Sequence, residues 1–235
     1  MSLPLQIHNY PKSDETSIEV LPLENGDRLS RAEFERRYHA MPRQKKAELI
    51  EGVVYMGSPV RFEPHAEPHS NIIGWLWVYR AATPGVRLGD NATTRLDLDN
   101  EPQPDALLRI ASGGTSSISE DGYVVGAPEL VVEIAASTVS YDLHDKLRIY
   151  RRNGVQEYLV WQIANNRIDW FRLNEGEYVL LEPDAAGVVR SQVFPGLWLA
   201  SHAMLEGNLA EVLVILQQGL ASAEHGDFVG RLTGS

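Results

Sequence analysis

A chain of 235 residues with 43 % hydrophobic side chains can bury one substantial core, as one large domain or one domain with appendages. It contains no cysteine, which excludes disulfides and thiolate metal sites. Acidic residues outnumber basic ones 32 to 21, and a net charge of −11 works against tight non-specific binding of nucleic acid, which depends on Lys and Arg releasing counterions.

Met1 to Thr16 has no basic flank followed by an apolar run, so no signal peptide is expected. No stretch approaches the ~20 apolar residues that span a bilayer. The expectation is a soluble cytoplasmic protein without membrane partners. Two local basic clusters stand against the acidic balance. Arg36, Arg37, Arg43, Lys45 and Lys46 precede Glu48, and Lys146, Arg148, Arg151 and Arg152 follow Glu133. A solvated helix face accounts for each at least as well as a binding patch.

Residues 1–28 lack periodicity and read as an arm. Ser30-x-x-Glu33 has the form of a capping box for a helix reaching about Tyr38. Glu51-Gly52, between the apolar runs Ala47–Ile50 and Val53–Met56, predicts a tight hairpin turn. Pro64 to Pro68 reads as a loop. His69 to Arg80 reads as a helix, with Ile72, Ile73, Leu76 and Trp77 on one stripe and Thr83-Pro84-Gly85 as its stop. Short strands are predicted at 86–88 and 93–98, then an apolar strand at Ala106–Ile110 and a Ser/Gly-rich surface loop to Gly122. Leu130 to Ala136 is the strongest strand signal, apolar on both faces except at Glu133, as in a central strand.

Asp142-x-x-Asp145 predicts the cap of a helix to Asn153, with Gly154 as its stop. Leu143, Leu147 and Tyr150 form its buried stripe, and Lys146 falls inside that stripe. Tyr158 to Ile163 is a further strand. Arg167–Leu173 and Tyr178–Leu181 form a hairpin across Asn174-Glu175-Gly176, and 194–199 forms a final strand or cover. Asn208-x-x-Glu211 opens a C-terminal helix with Val212, Leu213 and Leu216 on one face, and a loose tail follows Glu224. The domain reading is an arm at 1–28, a main domain at 29–200, and a C-terminal helix and tail at 201–235.

The chemistry centres on two acids that adjoin apolar runs. Pro104 biases Gln103 toward extended structure, so Asp105 stands at the mouth of a strand. Glu133 stands mid-strand and shares a face with Ala135. A carboxylate removed from water costs several kcal/mol unless something pairs with it. A divalent cation would pair with both.

The order Pro104-Asp105, then Glu133-x-Ala135 on the next strand, resembles the PD-(D/E)XK nuclease superfamily. Together with Glu48-Leu49-Ile50-Glu51-Gly52, His69, Leu130–Ile134, Asp142, Lys146 and Gly154–Val160, it is similar to Uma-two, a bacterial family of proposed restriction endonucleases, over roughly residues 30 to 200. The resemblance implies a restriction-endonuclease-like α/β (α+β) fold, a central mixed sheet flanked by helices with β-hairpin additions. Two departures stand out. Ala135 occupies the position where the superfamily has Lys, and Lys146 on the next helix takes its place by resemblance. Leu159-Val160-Trp161-Gln162 replaces an Asp-Pro-like turn.

By the same resemblance, Asp105 and Glu133 would hold Mg²⁺, with Mn²⁺ able to substitute. Lys146 would orient the attacking water or stabilise charge on phosphate. Glu48 would be a third acid, on the metal directly or through water. The substrate would be DNA, cut by a metal-dependent endonuclease acting as a homodimer, because two strands need two sites.

Blander readings stand beside these. Asp105 is also a common turn residue, Glu133 could simply pair with Lys146 or an Arg, and Lys146 alone could snorkel. Glu48 could be surface and Glu51 only a turn residue. His65 and His69 straddle Pro68, which argues against a two-His metal site. Two other functions remain open: a nuclease fold kept as an inactive binding or assembly module, and a glycoside hydrolase with carboxyls about 5 to 9.5 Å apart.

Overall fold

The computed structural model describes residues 20–41, 46–57, 59–136 and 142–234, with the side chains of residues 142 and 143 excepted. Arg43, Lys45, the Met1–Thr16 segment, most of the arm, the Asp142 cap and the Leu143 position of the stripe therefore lie outside the described residues.

In chain order the elements are α1 (Arg31–Ala40), the strands β1 (Ala47–Ile50) and β2 (Val53–Met56), and α2 (Glu67–Ala82). Then come β3 (Val86–Asp90), β4 (Thr94–Arg95), β5 (Ala106–Ile110), β6 (Ser116–Ile118), β7 (Val124–Gly126) and β8 (Leu130–Ala135). They continue with α3 (Leu147–Arg152), β9 (Glu157–Gln162), β10 (Arg167–Asn174), β11 (Glu177–Leu180), β12 (Val188–Arg190) and β13 (Trp198–Ala200). Three helices close the chain: α4 (Ser201–Leu205), α5 (Leu209–Leu220) and α6 (Ala223–Thr233). No helix among the described residues is long and apolar enough to cross a membrane.

A six-stranded mixed sheet, in the order β11-β10-β9-β8-β5-β3, organises the molecule. Its pairs are antiparallel except β8 with β9. Every residue of β8 and β9 is buried, as expected where helices and loops cover both faces of a sheet. Side chains alternate along β8, so its apolar run feeds two cores. Leu130, Val132 and Ile134 pack with Ile72, Trp75 and Leu76 of α2 and with Leu216 of α5. Val131 and Ala135 face the other way, toward Ile149 and Tyr150 of α3 and Ile50 of the β1–β2 hairpin. The site lies on this second face.

Local chemistry explains the elements that position it. Glu51 and Gly52 both have positive φ, 51° and 73°, which a two-residue hairpin turn between twisted strands requires. Ser30 caps α1 through the Glu33 N–H at 3.4 Å. The reciprocal half of the capping box is not made, because the Glu33 carboxylate is drawn to Arg36 and Arg37 at 2.7–2.8 Å.

The structure corrects other expectations. The segment read as a loop before His69 is helical: a π turn, Phe62–Ala66, closed by Ala66 N–H donating to the Arg61 carbonyl, runs directly into α2. Pro68 falls in the first turn of α2, directly after the π turn, and does not break the helix. The buried stripe of α2 is Ile72, Trp75, Leu76 and Tyr79, and Trp77 is 56 % exposed. The strand expected over 93–98 shortens to β4, and the surface loop after Ile110 contains β6. On α5, Val212 and Leu216 are buried but Leu213 is exposed. Residues after Glu224 are not loose: α6 is capped by Ser222 and buries His225 and Phe228.

Candidate active site

The β5–β8 ladder brings the two acids together. It pairs Ala106 with Val132, Leu107 with Val131 and Leu108 with Leu130. One step further along this antiparallel register sets Asp105 opposite Glu133, on the same face of the sheet. Asp105 Oδ2 accepts the Ile134 backbone N–H at 2.8 Å, which locks the register at that point. The two residues are 4 % and 3 % exposed. Ala135, also on this face, packs in the second core with Val131 and Val160 and brings no charge to the site.

The cation comes from the following helix. A π turn, Asp142–Lys146, leads into α3. Lys146 is 3 % exposed, and its Nζ donates to Glu133 Oε1 at 2.9 Å and lies 3.0 Å from Glu48 Oε1. One turn on, the Tyr150 hydroxyl donates to the same Glu133 oxygen at 2.8 Å. Tyr150 is fully buried, and that burial, with the Glu133 and Glu48 carboxylates close by, raises its phenol well above the ordinary value. It is a permanent donor. Glu48, on β1, also accepts the Gln103 backbone N–H at 2.7 Å. Backbone hydrogen bonds between Leu49 and Glu101, in both directions, tie β1 to the segment leading into Asp105. Glu51 stays in the hairpin turn and takes Arg148 at 2.7 Å.

Asp105 has its own partners. His65 Nε2 lies 3.4 Å from Oδ2, and Lys46 Nζ lies 3.6 Å from Oδ1. His69 Nε2 is 2.9 Å from the Asp105 carbonyl oxygen and 3.2 Å from Asp90 Oδ1. Burial opposes ionisation of Asp105, but the nearby His65 ring, the Lys46 charge and the Ile134 N–H outweigh it. They hold the carboxyl well below the usual carboxylate range.

Glu133, Lys146 and Glu48 thus meet in one buried cluster, and Asp105 stands opposite Glu133 on the neighbouring strand with partners of its own. The residues that sequence reasoning missed are Tyr150, recognised only as a core side chain, and the His65–His69 pair, discounted because of Pro68. An i, i+4 spacing of two histidines at a helix start was the available signal, and their rings lie 5.8 Å apart.

The donor set suits a hard divalent cation. Asp105 and Glu133 supply two carboxylates, the number Mg²⁺ takes when waters and substrate phosphate oxygens complete its shell. Among the described residues, no three His, Asp or Glu side chains converge as a ready-made metal shell. Glu48 Oε1 is engaged by Lys146 and the Gln103 N–H.

Comparison with known proteins agrees with this architecture. The fold matches the crystal structure of a protein described as a "putative nuclease belonging to DUF820", from Anabaena variabilis, with a TM-score of 0.57. The two share 17 % sequence identity, over 75 % of this chain and 99 % of that one, so the likeness is one of fold. No curated protein matches the sequence. Residues 31–202 match the family described as "Uma2: Putative restriction endonuclease", a span that holds β1, both π turns, β5, β8 and every residue named in this site, and the chain belongs to that family.

Proposed function

We propose that this protein is a divalent-cation-dependent endonuclease that hydrolyses DNA phosphodiester bonds. One observation carries the reading: two buried carboxylates opposed across neighbouring strands, with an ammonium from the next helix at 2.9 Å from one of them. A bound Mg²⁺ or Mn²⁺ would polarise the phosphodiester and lower the pKa of the attacking water.

The chain's own residues do the rest. Asp105 and Glu133 would hold the cation from two adjacent strands whose spacing the sheet fixes. Tyr150 keeps Glu133 from rotating by donating to Oε1. Lys146 orients the water or offsets charge on the phosphate, and Glu48 restrains the Lys146 amine from its second side. A homodimer is part of the proposal, since cutting both strands of a duplex needs two such sites. The species in solution is then expected at twice the 26.2 kDa chain mass by light scattering, and a monomer at working concentrations overturns that part.

Purified protein should nick supercoiled plasmid with Mg²⁺ or Mn²⁺ and not with chelator present. Asp105→Ala and Glu133→Ala should each lower the rate at least a hundredfold, with circular dichroism unchanged. Equal cleavage by the variants would identify a contaminant. A second reading rests on a specific contact. Lys146 already pairs with both Glu133 and Glu48, as in a nuclease fold kept as an inactive binding or assembly module. Calorimetry with no Mn²⁺ affinity above background, in protein that also fails to cut, would favour that module.

A further inference from the structure

Both helices that flank the carboxylates open with a single π turn, and each π turn places one polar side chain on an acid: Lys146 on Glu133, and His65 on Asp105. Wide turns of this kind recur at functional sites because they re-aim a side chain that regular helix geometry would misdirect. The two contacts differ in kind. Lys146 is buried and makes contacts of 2.9 and 3.0 Å. His65 and its companion Lys46 stand off Asp105 at 3.4 and 3.6 Å, longer than a well-formed hydrogen bond, and their side chains are 20 % and 37 % exposed. Asp105 Oδ2, which His65 approaches, has a closer partner in the Ile134 N–H at 2.8 Å, and Lys46 Nζ, which approaches Oδ1, also donates to Asn91 Oδ1 at 3.1 Å. His65 and Lys46, the part-exposed partners of a buried carboxylate, therefore lie on the solvent side of Asp105 and reach it from two elements: one from the turn before α2, the other from the residue before β1.

Three carboxylates against one buried ammonium leave the site acidic, which repels a phosphodiester, so further cationic or N–H donors are needed beside it. The exposed arginines beside the site are already committed. Arg148 pairs with Glu51 and Asp145 at 2.7 and 3.1 Å, and Arg152 with Glu51 and Asp97 at 3.5 and 3.3 Å. We propose that Lys46 and His65 form the phosphate-receiving rim, donating to the non-bridging oxygens of the scissile phosphodiester once a cation takes over the charge of Asp105. This rests on the endonuclease reading above and adds the residues that seat its substrate. His65 needs no positive charge for this, since a neutral imidazole N–H donates.

The test separates substrate binding from cation binding. Fluorescence anisotropy with a labelled DNA duplex, in Ca²⁺ and with the DNA checked intact on a gel, compares wild type with Lys46→Met, His65→Leu and the double variant, neither replacement being able to donate a hydrogen bond. Each single change should weaken binding at least fivefold and the pair at least twentyfold. Lys46→Met alone should reduce the salt dependence by about one phosphate contact. Calorimetry with Mn²⁺ should show both variants binding the cation at least as tightly as wild type, because the competing donor on Asp105 is gone. A merely structural role would lower both affinities together. Arg148→Met serves as a surface control and should change DNA binding less than twofold.

The rim is overturned if the variants bind DNA like wild type, if Arg148→Met weakens it equally, or if His65→Leu abolishes Mn²⁺ binding. Wild-type binding with unchanged variants removes this proposal alone. A wild type that neither binds nor cuts DNA with any divalent cation removes the endonuclease reading as well.

Discussion

Lys146 is the single residue on which the charge balance of the buried cluster turns. Its ammonium faces Glu133 at 2.9 Å and Glu48 at 3.0 Å with almost no solvent contact. Removing one member of a buried ion pair leaves an uncompensated charge and typically costs about 3–5 kcal/mol. Lys146→Met is expected to lower stability by that amount, read as a fall in urea midpoint with the slope unchanged. Adding Glu133→Gln to Lys146→Met should recover part of the loss, because one stranded charge goes with it. If Lys146→Met unfolds like wild type, the amine is not confined as described. A loss of activity in Lys146 variants is interpretable only beside this measurement.

At the scale of elements, α1 is held to the hairpin by Phe34, Leu49 and Val54 and by a second buried acidic contact. Arg95 on β4 reaches Glu35 of α1 at 2.7 Å and Glu101 at 3.7 Å. Burial, and then the Glu35 carboxyl, push the Glu101 carboxyl up to about 8 from an ordinary 4.5. The folded state therefore keeps a proton that the unfolded chain releases, and stability falls as pH rises from about 4.5 to about 8. Glu101→Gln removes that slope. It should match wild type near pH 5 and exceed it at pH 9 by at least about 1.4 kcal/mol, the worth of a tenfold shift in a protonation equilibrium. Parallel stability–pH curves for the two proteins would refute the placement of Glu101. Because the Glu101 backbone pairs with Leu49, beside Glu48, the same contact helps hold β1 against the site.

For the whole molecule, the sheet has two unlike faces. One carries the site, and the other is sealed by α2 and the C-terminal helices. The seal is tight at one backbone crossing. A Cβ on Gly219 of α5 would meet the Gly196 carbonyl oxygen at 2.3 Å and the Trp198 ring at 2.9 Å. Neither neighbour can give way easily, since Gly196 is held at φ +85° and its own added Cβ would strike the Gly219 oxygen at 2.8 Å. Gly219→Ala should therefore cost about 1–3 kcal/mol and lower Tm by several degrees, although Ala is the better helix former. An unchanged Tm would mean the crossing is looser than drawn. The α6 helix completes the seal, with His225 Nε2 3.0 Å from Thr83 Oγ1 at the end of α2.

What the sequence determined by itself was whatever depends on near neighbours along the chain. The Glu51-Gly52 turn was legible because a polar residue and a Gly interrupt two short apolar runs, although the positive φ of Glu51 itself was not. The burial of β8 was legible in its unbroken apolar run, and so was the inward position of Lys146, since helix spacing alone put it with Tyr150. The acidic pair was legible as an oddity, two charges beside apolar runs with no partner in sequence. The tertiary structure alone decided which partners those charges have. Glu48 reaches Lys146 across a separation of 98 positions, and His65 reaches Asp105 across one of 40, because strand order and two π turns bring them together. It also decided that Trp77 faces outward and Trp75 inward, since the hydrophobic count on α2 was nearly even and only the position of the sheet broke the tie. Periodicity reports what a segment can bury, and long-range register reports what it is buried against; only the second places a donor next to an acid.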